Sequence, residues 1–79
     1  MLGMSRPRLL LDPVAFWGRI DERNMSQNQL AQRAGISSGY VSQLVNQRRA
    51  PSPATRARLM RLLGAQDVSD LFSYESETE

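Results

Sequence analysis

The chain has 79 residues, 41% of them hydrophobic and 23% charged, which is enough apolar material for one small domain around a single core. It contains no Cys and no His, which removes disulfides, Cys- or His-based metal sites and the commonest nucleophile and general base, so no enzyme, metal or cofactor is expected. The net charge of +2 conceals three zones: residues 1–22 balance, residues 23–66 carry Arg23, Arg33, Arg48, Arg49, Arg56, Arg58 and Arg61 with no acid, and residues 67–79 carry acids with no base.

An acid-free basic segment suits a polyanion, because each phosphate it neutralises releases condensed counterions. A solvated Arg-rich surface balanced by the acidic end is the alternative. The longest aliphatic run, Leu9 to Leu11, falls far short of the roughly 20 residues of a membrane span and of a signal-peptide core, so a soluble cytoplasmic protein with no membrane partner is expected. Met4 is a second candidate start codon.

In chain order, residues 1–11 lack a helical period and read as an arm whose Arg6 and Arg8 could follow a nucleic-acid backbone. Asp12-Pro13 then starts a helix, Asp12 as cap and Pro13 at the first helical position, which should run to about Asn24. Its apolar face holds Val14, Phe16, Trp17 and Ile20, with Phe16 and Trp17 read as core and, if either stays exposed, as a self-association surface together with Leu9 to Leu11. Ser26 followed by Gln29 has the capping-box spacing, and Gly35 falls where a left-handed residue ends the short second helix, about Gln27 to Ala34. Ser37 caps a third helix reaching about Val45, with Val41, Leu44 and Val45 inward. Residues 46–51 form a basic loop. Ser52-Pro53 starts a leucine-rich fourth helix that Gly64 ends, and Asp67 caps a fifth with Val68, Leu71 and Phe72. No strand pattern is evident, and residues 73–79 read as an acidic tail.

The third helix carries the argument about function. Its outward positions are Gly39, Ser42, Gln43 and Asn46, with Ser38 beside them, and none is charged. Exposed helix faces ordinarily carry Lys and Glu. A face that enters the major groove meets base-edge donors, acceptors and thymine methyls, where carboxylates are repelled and Ser, Gln, Asn and Gly fit. Gly39 costs about 1 kcal/mol relative to Ala in a helix interior, and close approach to a base or phosphate would explain it, as would its place in the first turn, where the cost is smaller. Two short helices joined by a Gly-containing turn, the second with a polar outer face, are the parts of a helix-turn-helix.

The stretch "SQNQLAQRAGISSGYVSQLVN", followed by "RRAPSPATRARLMRLLG" and "DVSDLF", resembles the lambda-repressor-like, Xre/Cro-type helix-turn-helix proteins from about Phe16 to Phe72. The resemblance implies an all-α, five-helix domain over residues 12–72. It also implies a base-reading set of Ser38, Gly39, Tyr40, Ser42, Gln43 and Asn46, with Tyr40 at the edge and Gln43 able to pair with adenine. Phosphate contacts fall on Gln27, Ser37, Arg48 and Arg49. Two departures stand out: the family's frequent Arg–Glu ion pair is replaced by Ile20 and Val45, an apolar pair that can substitute without loss of stability, and its usual loop Gly is Gln47.

The function expected is sequence-specific binding of double-stranded DNA by a transcriptional regulator, a repressor acting as a homodimer on an inverted repeat. A bacterial or phage origin goes with it. An antitoxin or partner-binding protein that uses the same domain for autoregulation is the runner-up, and a purely protein-binding module is the third class. Salt-sensitive DNA affinity separates the first two from the last.

Overall fold

The computed structural model describes residues 6–75, so the alternative start at Met4 and the outer parts of the expected arm and acidic tail lie outside the described residues. In chain order they form β1 (Leu9–Leu11), α1 (Pro13–Glu22), α2 (Gln27–Ala34), α3 (Ser38–Val45), α4 (Pro53–Leu63), a 3-10 turn at Val68–Asp70, and β2 (Phe72–Tyr74). The expectation of five helices is corrected to four with a small sheet. After Gly64 the backbone bonds run three residues back, Asp70 N–H to Asp67 O at 2.9 Å and Leu71 N–H to Val68 O at 3.1 Å, the tighter 3-10 pattern rather than that of an α-helix. Leu71 and Phe72 then enter the core at 0% and 2% exposure.

Capping fixes where each helix begins. Asp12 Oδ1 accepts from Val14 N–H at 3.0 Å, with Pro13 filling the first helical position. Ser26 and Gln29 satisfy each other's backbone N–H at 3.1 and 2.9 Å. Ser37 Oγ accepts from Tyr40 N–H and Ser52 Oγ from Thr55 N–H.

The four ends share one device. Asn24 (φ 51°), Gly35 (φ 71°), Gln47 (φ 61°) and Gly64 (φ 69°) are left-handed. The N–H of the next residue returns to a carbonyl five residues back: Met25 to Ile20, Ile36 to Ala31, Arg48 to Gln43, and Ala65 to Met60. Because Asn24 takes this conformation, α1 stops at Glu22 rather than at Asn24. Only the two glycines announce the device in the sequence.

β1 and β2 pair antiparallel, Leu9 with Tyr74, Leu10 with Ser73 and Leu11 with Phe72. Residues 9–11 therefore belong to the folded unit rather than to an arm, and Ser73 and Tyr74 to a strand rather than to a tail. Asp12 N–H to Leu71 O at 2.9 Å and Glu75 N–H to Arg8 O at 2.8 Å continue the ladder at either end. The Arg8 guanidinium grips the Glu75 carboxylate at 3.1 and 3.3 Å.

One core joins both strands and all four helices: Leu11, Phe16, Ile20, Leu30, Ala31, Ala34, Val41, Leu44, Leu59, Leu63, Leu71 and Phe72. Ile20 lies in it and Val45 packs against it, so the residues that replace the family's ion pair both serve apolar packing. Trp17 corrects the sequence reading. Phe16 is buried, but Trp17 is 41% exposed, its ring standing edge-on to Phe16 with centroids 5.0 Å apart.

Candidate nucleic-acid interface

α2 and α3 meet across the turn Gly35–Ile36–Ser37, with Leu30, Ala31 and Ala34 of the one buried with Val41 and Leu44 of the other. This packing turns the remaining face of α3 outward. Gly39, Gln43 and Asn46 are exposed, whereas Ser38 and Ser42 are half-buried where α2 approaches. Tyr40 packs against the core and presents only its margin.

Polar bonds lock the two helices together at this face. Gln27 Nε2 donates to Ser42 Oγ at 2.9 Å and to the Ser38 carbonyl at 3.3 Å, and Ser38 Oγ donates to Asn28 Oδ1. The first turn of α2 is thereby pinned to the first turns of α3, and the polar face is largely organised in the protein alone. Ser37 uses its oxygen to cap α3 and keeps a hydroxyl proton to give. At Gly39 an added methyl would meet nothing within 4 Å, so packing inside the domain does not explain the glycine.

Basic side chains divide into two sets. Arg19 donates to the Leu63 and Gly64 carbonyls at 3.1 and 3.3 Å, at the end of α4, and Arg58 donates to the Ala34 carbonyl at 3.2 Å, at the end of α2. These cations complement the negative ends of helix dipoles. Arg56 reaches the Pro51 carbonyl at 3.4 Å. Arg48 and Arg49 are exposed directly after α3 and, like the exposed Arg33 and Arg61, have neither a carboxylate partner nor a side-chain hydrogen bond among the described residues. Behind the turn, Arg33, Arg58 and Arg61 line a shallow concavity beside Gly35.

Gln47 follows α3. Its backbone is left-handed, the conformation that glycine takes most freely, and its Nε2 donates to the Leu11 carbonyl at 3.0 Å, tying the end of α3 to β1.

The helix-turn-helix family model (HTH_3) matches residues 18–71, from within α1 to the residue before β2. The chain belongs to this family of DNA-binding proteins, in its lambda-repressor-like, Xre-type form. The crystal structure of the transcriptional regulator VanUg shares the fold of this helix-turn-helix protein, with a TM-score of 0.70 over 98% of this chain and 100% of that one at 14% identity. No curated protein sequence matches the chain.

The structure thus gathers Gln27, Ser38, Gly39, Ser42, Gln43 and Asn46 on one side of the helix-turn-helix, sets Tyr40 at its margin, and places Arg48 and Arg49 just beyond its end. Sequence reasoning missed Asn28, which looks like any first-turn residue, and the tether of Gln47, for which the missing glycine was the available signal.

Proposed function

We propose that this helix-turn-helix protein is a sequence-specific transcriptional regulator that acts as a repressor, occupying an inverted-repeat operator as a homodimer. The observation that carries the reading is the uncharged polar face of α3, organised from α2 and followed at once by two unpaired arginines. Ser38, Gly39, Ser42, Gln43 and Asn46 read base edges, with Tyr40 at the groove wall. Gln43 is the principal reader because its exposed amide can pair with adenine N6 and N7. Arg48 and Arg49, with the Ser37 hydroxyl, hold phosphates and set register. Gln27, whose amide is engaged with α3, meets a phosphate through its backbone N–H at the start of α2.

A single short helix reads only a few base pairs, which favours two half-sites about 34 Å apart. Val14 and Trp17, three residues apart on α1 and 82% and 41% exposed, favour a protein contact there. A second copy satisfies the regulator reading. A different polypeptide satisfies the antitoxin reading, and co-purification of a second chain from the native host would favour it.

Gln43→Ala and Arg48→Ala test the assignment together. The first should lose discrimination at one base pair, by about 1–3 kcal/mol, and leave the salt dependence intact. The second should weaken binding to every sequence and lower the salt slope by about one. Identical behaviour of the two variants would overturn the division between reading and positioning residues.

A further inference from the structure

Arg33, Arg58 and Arg61 belong neither to the polar face of α3 nor to the end of that helix. With Gln32, Gly35 and Leu62 they line the concavity behind the turn, where α4 packs on α2. Gln27 turns its amide toward α3, and Arg33 lies six positions further along α2, about 240° round a helix of 3.6 residues per turn. The concavity therefore opens on a different side of α2 from the polar face.

Helix ends account for these cations one at a time. Arg33 and Arg61 stand in the last turns of α2 and α4, and Arg58 Nη1 donates to the Ala34 carbonyl at 3.2 Å. They do not account for three guanidinium groups around one hollow whose lining holds no acid. Arg58 and Arg61 are side-chain neighbours three residues apart on α4, so their like charges repel. Among the described residues none of the three has a carboxylate partner. The bond to Ala34 holds the Arg58 guanidinium in place and leaves its other N–H groups to donate, while Arg33 and Arg61 keep all of theirs.

We propose that this hollow docks an acidic polypeptide segment of a partner protein. Clustered guanidinium groups bind carboxylates through paired N–H groups. The hollow is shallow, so a small anion seated there would leave most of its surface in water, whereas small-molecule sites enclose most of their ligand. An extended chain reaches several guanidiniums at once, and the half-buried Leu62 and the arginine stems give it apolar contact. The site goes beyond the operator reading and does not depend on it. Because it opens away from the α3 face, a duplex and an acidic segment can be held together.

The experiment titrates the full chain with a short labelled peptide of glutamates around one leucine, with its glutamine counterpart, and with pyrophosphate, and maps amide shifts with and without a DNA duplex. The glutamate peptide should move Gln32 to Gly35 and Arg58 to Leu62, with the duplex bound or absent, and the glutamine peptide should not. Arg33→Gln with Arg61→Gln, both exposed and shown by a thermal melt to fold, should weaken the peptide roughly tenfold and leave the salt slope of DNA binding unchanged. Arg48→Gln with Arg49→Gln should do the opposite. No binding of the glutamate peptide overturns the proposal, as do shifts centred on α3, or peptide affinity unchanged by loss of Arg33 and Arg61. A DNA salt slope lowered by their loss makes them phosphate contacts instead, and pyrophosphate that binds the hollow as tightly as the peptide makes it a small-anion site; either result also overturns the proposal. All of these outcomes leave the regulator reading standing.

Discussion

Two glycines four residues apart do different work, and alanine separates them. Gly35 has φ 71°, and a Cβ there would meet only Arg58 Nη1 at 3.9 Å, so the cost of Gly35→Ala is backbone strain rather than collision, about 1–2 kcal/mol in a denaturant melt. Gly39→Ala should gain up to about 1 kcal/mol of stability, because α3 accepts a methyl there without contact, while affinity for DNA falls if the glycine serves close approach to the groove. Unchanged affinity would remove that role from Gly39. At Gln47, Ala keeps the left-handed strain and loses the bond to Leu11, costing about 1 kcal/mol, whereas Gly also loses the bond but sheds the strain. Gly should therefore be the more stable of the two variants, and the reverse order would show that the left-handed backbone costs Gln47 little. Gly35 was legible in the sequence because only glycine takes φ > 0 freely. Asn28 and Gln27 were not legible as a bracket, since their meaning depends on which atoms of α3 lie opposite.

The helices were legible element by element, and the sheet was not. Asp12-Pro13, Ser26 with Gln29, and Ser52-Pro53 announce helix starts through chemistry local to each stretch. β1 offers nothing comparable: Leu10 and Leu11 point to opposite faces of the sheet and are both buried, so the run shows no alternation. Its partner lies some sixty residues away. The last turn of the chain misled for a related reason, since "DVSDLF" has a helical start but spends Leu71 and Phe72 on the core. The clamp between Arg8 and Glu75 that ends the sheet carries a pH prediction. Hydrogen bonds from the Arg8 side chain, and then from its backbone N–H, hold the Glu75 carboxyl below the usual carboxylate range. A group whose pKa is depressed by folding contributes stability above its unfolded value, and loses it as pH falls through the folded one. Acidification below about pH 4 should loosen the 8–75 end of the ladder first, visible in the amide shifts of Arg8 and Glu75. Glu75→Gln should show the loosened shifts at neutral pH and lose this titration; if the Arg8 amide still titrates in that variant, the effect belongs to another group.

At the scale of the whole molecule, the separation of charge along the chain pointed to a polyanion, in keeping with the DNA-binding family, and the fold divides the arginines by what they already bond to. Arg58 and Arg56 are committed to carbonyls within the fold, while Arg48 and Arg49 stand unpaired at the end of α3. Charge-neutralising both of these should flatten the salt dependence of DNA binding by about two phosphates' worth, whereas Arg58→Gln should act on stability and leave the slope nearly unchanged. The central claim, that α3 reads DNA sequence, is tested most directly by selecting bound duplexes from a random library and titrating the winner against scrambled DNA at two salt concentrations. The account predicts an inverted repeat with half-sites about one helical turn apart and at least about a 1000-fold preference over the scrambled duplex, surviving at the higher salt. Enrichment of no sequence, with weak binding to every duplex that vanishes at the higher salt, would contradict it.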